Sequence, residues 1–443
     1  MSYARATGRP EIPDTVPRRP PGPDNAAVPG RSARSAGRAR EVLIALGCYF
    51  FLANLMQSTV SLRGVALHVR GAALGILLAL CSGGLGIVTD LGFAAYADGR
   101  GRHKVVSFAF AVALGSALLL FDERSTTLLW LAALGFGVTA SATATPLLAL
   151  LSGRVGQWRQ TRLQGINGSV QRFGALIAAG FVGLSLALHS PAGLAGGLAG
   201  GAALGLVITW ADGKAVPASG GAPARLGALL RNGYVRGLRM LRNRRIVIAS
   251  VINIAINAIF LETNSFVPLL HDRGASALVV SGSLAARDVL AVVAGLAIAH
   301  GSHDVSSAVI VVFALALSAL AAVGMGLCVH FSVLVAVVPL CAVQGVTVGV
   351  GIAATNLHTI SATVDEERAV GMAASTVGLR AALIIVPLLA GTVLSAYGLA
   401  WVFYLFGTVS AALGIAVAVL MTSSQAVTLA TAAGHAGVAG IDG

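Results

Sequence analysis

The sequence predicts an all-α membrane protein with twelve transmembrane helices in two six-helix halves. Three observations carry that prediction: the apolar fraction, the length of the apolar runs, and the placement of the positive charges. Hydrophobic residues make up 56% of the chain and charged residues 11%. A soluble domain of this length needs a more charged surface. Continuous runs of about 18 or more apolar residues recur, each able to cross roughly 30 Å of hydrocarbon as a helix. In lipid only helices or closed barrels satisfy every backbone group. A barrel would show alternating segments of roughly ten residues, whereas these runs are unbroken Leu, Ala, Val and Gly.

Residues 1–37 are rich in Pro and Arg without periodicity and read as a disordered tail. The first apolar run begins near Val42, too deep and too long for a cleavable signal. Spans are expected near 42–62, 72–97, 105–121, 128–151, 168–188 and 191–210, which make a first half over 38–210. A basic linker, 211–245, follows. The second half, 246–421, holds spans near 246–269, 277–299, 307–328, 332–358, 370–394 and 400–421. Residues 422–443 are Ala- and Gly-rich and are expected to be disordered. Pro146, Pro339 and Pro387 are expected to interrupt spans 4, 10 and 11.

Charge placement orients the chain. Eight Arg precede span 1, Arg100, Arg102 and Lys104 follow span 2, and the linker carries Lys214 with seven Arg. With twelve spans, all of these fall on one side. The other side holds only Arg63, Arg70, Arg124 and Arg273. Positive residues favour the cytoplasm, so both termini and the linker are expected there, in a plasma-membrane protein. No aromatic interleaving accompanies the basic segments, so no nucleic-acid partner is expected.

The halves repeat. Arg38-Ala-Arg40-Glu41-Val-Leu-Ile opens span 1, and Arg242-Asn-Arg244-Arg245-Ile-Val-Ile opens span 7. Arg162-x-x-Gly165-x-x-x-Ser169 precedes span 5, and Arg368-x-x-Gly371-x-x-x-Ser375 precedes span 11, both pairs at a spacing of about 205 residues. Parallel six-span halves are a transporter architecture. After span 2 stands Ala94-Ala95-Tyr96-Ala97-Asp98-Gly99-Arg100-Gly101-Arg102-His103-Lys104. This segment resembles the loop signature of the major facilitator superfamily, Gly-x-x-x-Asp-Arg-x-Gly-Arg-Arg/Lys, in sequence and in position. Asp98, Gly101 and Arg102 match it; Ala94 and Gly99 depart from it. The resemblance covers Val42 to Met421. It implies alternating access around a central site, with Asp98, Gly101, Arg102 and Lys104 as a cytoplasmic gate working against the partner half. Span 5 lacks the Pro of the family's antiporter motif, but its Ser169-x-x-Arg172-x-Gly174 looks like many export-type, drug-efflux-like members.

Ionisable groups at bilayer depth are costly and mark candidate sites. Six are expected within spans as a proton-coupling and charge network: Asp90, Arg172, Glu262, Arg287, Asp288 and Arg380, with Asp288 the first candidate proton carrier and Asp90 and Glu262 the others. Three are acidic and three basic, which suggests interhelical pairing. Arg287 and Asp288 are sequence neighbours, about 100° apart on a helix, so each is expected to find its partner on another helix. Arg380 is the expected partner of Asp288. Arg172 stands near the cytoplasmic end of span 5, where snorkelling and a buried role are equally open. Asn253, Asn257 and Asn264 fall on one face of span 7, as cavity wall or interhelical glue, with Glu262 on the opposite face. Asn54, Gln57, Gln171, Gln344 and Asn356 are further cavity candidates, and Gly345-x-x-x-Gly349 is a packing motif.

Neither of the two lysines, Lys104 and Lys214, sits in a P-loop, and Cys48, Cys81, Cys328 and Cys341 have no metal-ligand spacing. No catalytic residue, metal or cofactor is expected. The implied function is secondary transport of a small organic molecule, with proton-coupled efflux as the leading form and the proton and the lipid bilayer as partners. A monomer is expected to suffice. An uptake permease, and a non-transporting scaffold or sensor, remain alternatives.

Overall fold

The computed structural model describes residues 29–69, 71–153, 160–214, 226–301, 308–363 and 368–438. Fourteen α-helices follow one another, and no strand occurs among the described residues. The first half is α1 (Pro29–Ala66), α2 (Ala72–Cys81), α3 (Gly86–Arg100), α4 (Arg102–Leu119), α5 (Thr126–Gly153), α6 (Gln160–Ala187) and α7 (Pro191–Lys214). After α8 (Leu226–Met240), the second half is α9 (Arg244–Leu261), α10 (Ala277–Gly301), α11 (Ala308–His330), α12 (Val337–Ser361), α13 (Arg368–Tyr397) and α14 (Leu399–Val438). Among the described residues, eleven helices are each long and apolar enough to cross a membrane. The broken pair α2–α3 supplies the twelfth crossing, so the fold is twelve spans in two halves of six.

Outward faces are apolar: Phe108, Leu204, Leu320 and Ile415 are all exposed, while Asp90, Arg172, Arg287 and Asp288 are buried. That inside-out arrangement suits a hydrocarbon solvent rather than water.

Four details differ from the sequence expectation. The span expected over 72–97 is not continuous. The chain leaves helix geometry at Ser82–Leu85 and turns at Gly83, whose φ is +86°. Only glycine reaches that conformation without strain. Pro339 is the third residue of α12 and interrupts nothing. The first turn has no intrahelical N–H bond to lose, so proline is tolerated there. Pro146 and Pro387 do lie inside α5 and α13. The linker contains an amphipathic helix, α8, which lies against α3 and α13, one helix from each half. Its Tyr234 packs with Leu91 and Ala94 of α3 and Ala373 of α13. Finally, helix begins at Pro29 and runs on to Val438, so the terminal boundaries expected at 37 and 421 are not where helix stops. Ala-rich sequence has high helix propensity, which explains the extension past Met421. The rest of the two tails, 1–28 and 439–443, lies outside the described residues.

Two seams join the halves. On the face away from α8, a Cβ on Gly75 would meet the Pro387 backbone, and one on Gly391 would meet the Gly71 carbonyl. α2 and α13 therefore touch backbone to backbone. Along the other seam α6 packs on α10, with Ser169 Oγ donating to the Val292 carbonyl at 3.3 Å. Within the second half the Gly345-x-x-x-Gly349 motif does what its spacing predicts. Gly345 and Gly349 lie against the carbonyls of Arg287 and Ala291 on α10.

Candidate functional site

A cavity of about 150 Å³ lies between the halves. α1, α5, α6 and the Ser82 turn wall it from one side, and α9, α12 and α13 from the other. Of the expected cavity residues, Asn54, Gln57, Asn253, Asn257, Asn264 and Asn356 line it. Gln344 does not. It is fully buried inside the second half, where its Nε2 donates to Glu262 Oε2 at 2.8 Å.

Local backbone explains part of this arrangement. Asn243 caps α9, its side chain accepting from Arg245 N–H at 3.0 Å. The helix then runs regularly to Leu261. Residues Glu262–Phe266 form one π-helical turn. Such a turn inserts an extra residue per turn and shifts the faces that follow. Thr263 and Asn264 are thereby turned toward α1 and α10. Asn257 Nδ2 donates to Asn253 Oδ1 at 3.0 Å, so the expected stripe exists along the α-helical part. Asn264 reaches the cavity through the π turn.

The ion pairs are not the expected ones. Arg287 folds back on its own neighbour: Nε donates to Asp288 Oδ1 at 2.9 Å and Nη2 to Oδ2 at 2.6 Å. The 100° between adjacent Cα–Cβ directions is bridged because the Arg stem is long and its planar fork matches a carboxylate. Arg380 therefore does not pair with Asp288. Its Nε donates to Asp90 Oδ2 at 2.6 Å, across the interface between α13 and α3. Thr376, one turn before Arg380, donates its hydroxyl to the same oxygen at 3.1 Å. The broken span makes room for this pair. A Cβ on Gly83 or Gly86 would collide with the Arg380 guanidinium.

A chain of hydrogen bonds links the two pairs. Arg287 Nη1 donates to Asn264 Oδ1 at 2.8 Å, and Asn264 Nδ2 donates to Asn54 Oδ1 at 2.6 Å and Gln57 Oε1 at 3.2 Å. Gln57 Nε2 donates to Ser82 Oγ at 3.2 Å, and Arg380 Nη1 to the Ser82 carbonyl at 3.3 Å. Ser58 and Ser61 of α1 donate to the carbonyls of Asn264 and Ser265. The halves are thus tied through polar groups at mid-fold.

Arg172 does not snorkel; it is fully buried. Its guanidinium lies 4.0 Å from the Phe260 ring centroid and 5.3 Å from that of Phe50, with Nη1 3.7 Å from Asp288 Oδ1. Its three guanidinium nitrogens make no hydrogen bond. Beside it on α6 stands a polar ladder, of which sequence reading names Gln171, a cavity-lining residue, and misses Asn167 and Gln164. There Gln171 Nε2 donates to Asn167 Oδ1, and Asn167 Nδ2 to Gln164 Oε1, both at 3.1 Å. The i, i+4 and i, i+3 spacings were the available signal. At the loop after α3, Gly101 adopts φ +111° between two helices. Arg102 Nη1 donates to the Ala149 carbonyl on α5, within its own half, at 3.2 Å. Lys104 is exposed. The Asp98 side chain lies outside the described part of the structure.

The Major Facilitator Superfamily model matches residues 42–363. The chain belongs to that superfamily. Its members are transporters, and this multi-pass membrane chain takes a transporter fold. No curated protein matches the sequence. Among solved structures, the superfamily chain is similar to the proton:xylose symporter XylE bound to 6-bromo-6-deoxy-D-glucose. The TM-score is 0.62 at 14% identity, covering 89% of this chain and 96% of that one. An auto-inhibited POT family peptide transporter aligns with TM-score 0.61 at 14% identity, covering 87% and 96%. The human organic anion transporter MFSD10 (TETRAN) aligns with TM-score 0.59 at 15% identity, covering 86% and 99%. At these identities the likeness concerns the fold.

Proposed function

We propose that the protein is a secondary active transporter that exports a small organic molecule by alternating access, in exchange for protons. The observation that carries this reading is the Asp90–Arg380 pair. It joins the two halves beside a cavity walled by both. Protonating Asp90 removes the negative charge that holds α13 to α3, and losing the proton restores it. A tie of that kind biases two states of the halves by protonation. Asn54, Gln57, Asn253, Asn257, Asn264 and Asn356 contact the cargo, and the Asp98–Lys104 turn paces the exchange of states. Both termini and α8 face the cytoplasm of the plasma membrane, and one chain suffices.

The test is flux in reconstituted proteoliposomes across small organic acids, amines and neutral solutes, with an imposed pH gradient. Gradient-driven movement of at least one class is expected. Asp90→Asn should keep substrate exchange and lose accumulation. A correctly folded protein that moves no solute in any class would remove the reading.

A further inference from the structure

We infer that the cavity binds its cargo by a carboxylate group, seated on Arg172. The inference deepens the transport reading and rests on it for the passage of the ligand, not for its binding.

Four observations converge. First, the charged residues lining the cavity are Arg172 and Arg380, and no Asp or Glu is among its described lining residues. Second, Arg380 is engaged: it donates to Asp90, to the Ser82 carbonyl and, at 3.4 Å, to the Ala140 carbonyl. Third, Asp288 is held by both Arg287 donors, so its contact with Arg172 at 3.7 Å is to a carboxylate already neutralised. Glu262 is turned away onto Gln344. Arg172 and Arg287 thus share one carboxylate between two cations, and Arg287 takes its hydrogen bonds. Fourth, none of its nitrogens is hydrogen-bonded, although the side chain is fully buried.

A buried guanidinium with five unmet N–H groups is costly unless something fills the space before it. The geometry of the guanidinium selects the ligand. Phe260 covers a face of the guanidinium, leaving its in-plane N–H edges to bond. Two parallel N–H donors in a plane match the two oxygens of a carboxylate. Tyr49, Phe50, Ile256 and Phe260 border the same cavity and offer an apolar seat for the rest of the molecule. A volume of about 150 Å³ lies below the roughly 300–1,000 Å³ of drug-sized sites. The ligand class is a small organic monocarboxylate.

Matched pairs test this without knowledge of the natural cargo. Benzoate and benzamide, phenylacetate and phenylacetamide, and hexanoate and hexanamide are titrated into the full chain in lipid nanodiscs, followed by thermal shift and calorimetry. At least one acid should bind while its amide binds tenfold or more weaker, as loss of a charge-assisted bond predicts. Arg172→Gln should cost the acid about tenfold or more and leave the amide unchanged, with Arg172→Lys between the two. Amides binding as tightly as acids to the native protein would overturn the assignment, whether or not Arg172→Gln folds. So would undiminished acid binding by a monodisperse Arg172→Gln protein. Acid binding without flux in vesicles would remove the transport reading and leave the anchor standing. Flux of amines or neutral solutes with no acid binding would do the reverse.

Discussion

Asp90 and Arg380 are 290 residues apart in sequence and 2.6 Å apart in space, on opposite sides of the boundary between the two halves. Removing one partner strands the other, and breaking a buried pair typically costs about 3–5 kcal/mol. Asp90→Ala should therefore lower the melting temperature of the purified protein sharply. Asp90→Asn combined with Arg380→Gln should recover most of the loss, because neither charge is then left alone. Melting curves in detergent decide the matter. Equal stability of Asp90→Ala and the native chain would contradict the pairing.

Glycine substitutions give a second, independent reading of the same place. An added Cβ at Gly83 or Gly86 meets the Arg380 guanidinium. Gly83 also holds φ +86°, which an alanine tolerates poorly. Each Gly→Ala change there should destabilise the protein by about 1 kcal/mol or more. At Gly180, inside α6, a Cβ meets nothing within 4 Å. There the same substitution should stabilise by about 0.4–1 kcal/mol. The contrast between the sites is the measurement, and equal effects at Gly83 and Gly180 would refute it.

The acidic residues should separate by role. Glu262 is fully buried, outside the cavity lining, with Gln344 as its hydrogen-bond partner. Glu262→Gln preserves an amide–amide bond at that point and should change stability by no more than about 1 kcal/mol. It should also leave gradient-driven accumulation intact, whereas Asp90→Asn abolishes it. Loss of accumulation in a stable Glu262→Gln protein would move the coupling site from Asp90 to Glu262.

How much of this was legible in the sequence depends on scale. Span number, the two halves and the Gly345/Gly349 contact follow from run length and spacing, which are local properties of the chain. Asn54, Gln57 and Asn253 were recognisable as cavity residues because polar amides in apolar runs have few other places to go. The pairing of the charges was not legible. A helical wheel gives Cβ directions, and it assigned Arg287 and Asp288 to different neighbours; four further rotatable bonds in Arg287 undid that. The π turn at Glu262–Phe266 and the break at Gly83 also escaped. A one-residue change of helical phase is set by tertiary contacts and leaves no compositional mark. The helix α8 was hidden by its charge. Arg231, Arg236 and Arg239 make the segment read as polar linker, while Tyr234 packs against Leu91 and Ala373.

Orientation is open to chemical labelling. α8 should face the cytoplasm, since the basic segments lie on its side of the fold. Arg231 is exposed on α8, so Arg231→Cys in a background lacking the native cysteines provides a handle. A membrane-impermeant maleimide should modify it in inverted vesicles and spare it in intact cells. Modification from outside intact cells would reverse the topology.

The pairing of Arg287 with its own neighbour has an electrical consequence. Moving one elementary charge through a 100 mV membrane potential is worth about 2.3 kcal/mol. Arg287 and Asp288 ride on one helix, so however α10 tilts, the positive and negative charges travel together and their work against the field cancels. Arg172 sits on α6, in the other half, so its contact with Asp288 spans two bodies that move relative to each other. Current carried by the conformational cycle would then report Arg172, its ligand, Arg380 and the proton on Asp90, and the Arg287–Asp288 pair would be silent to voltage.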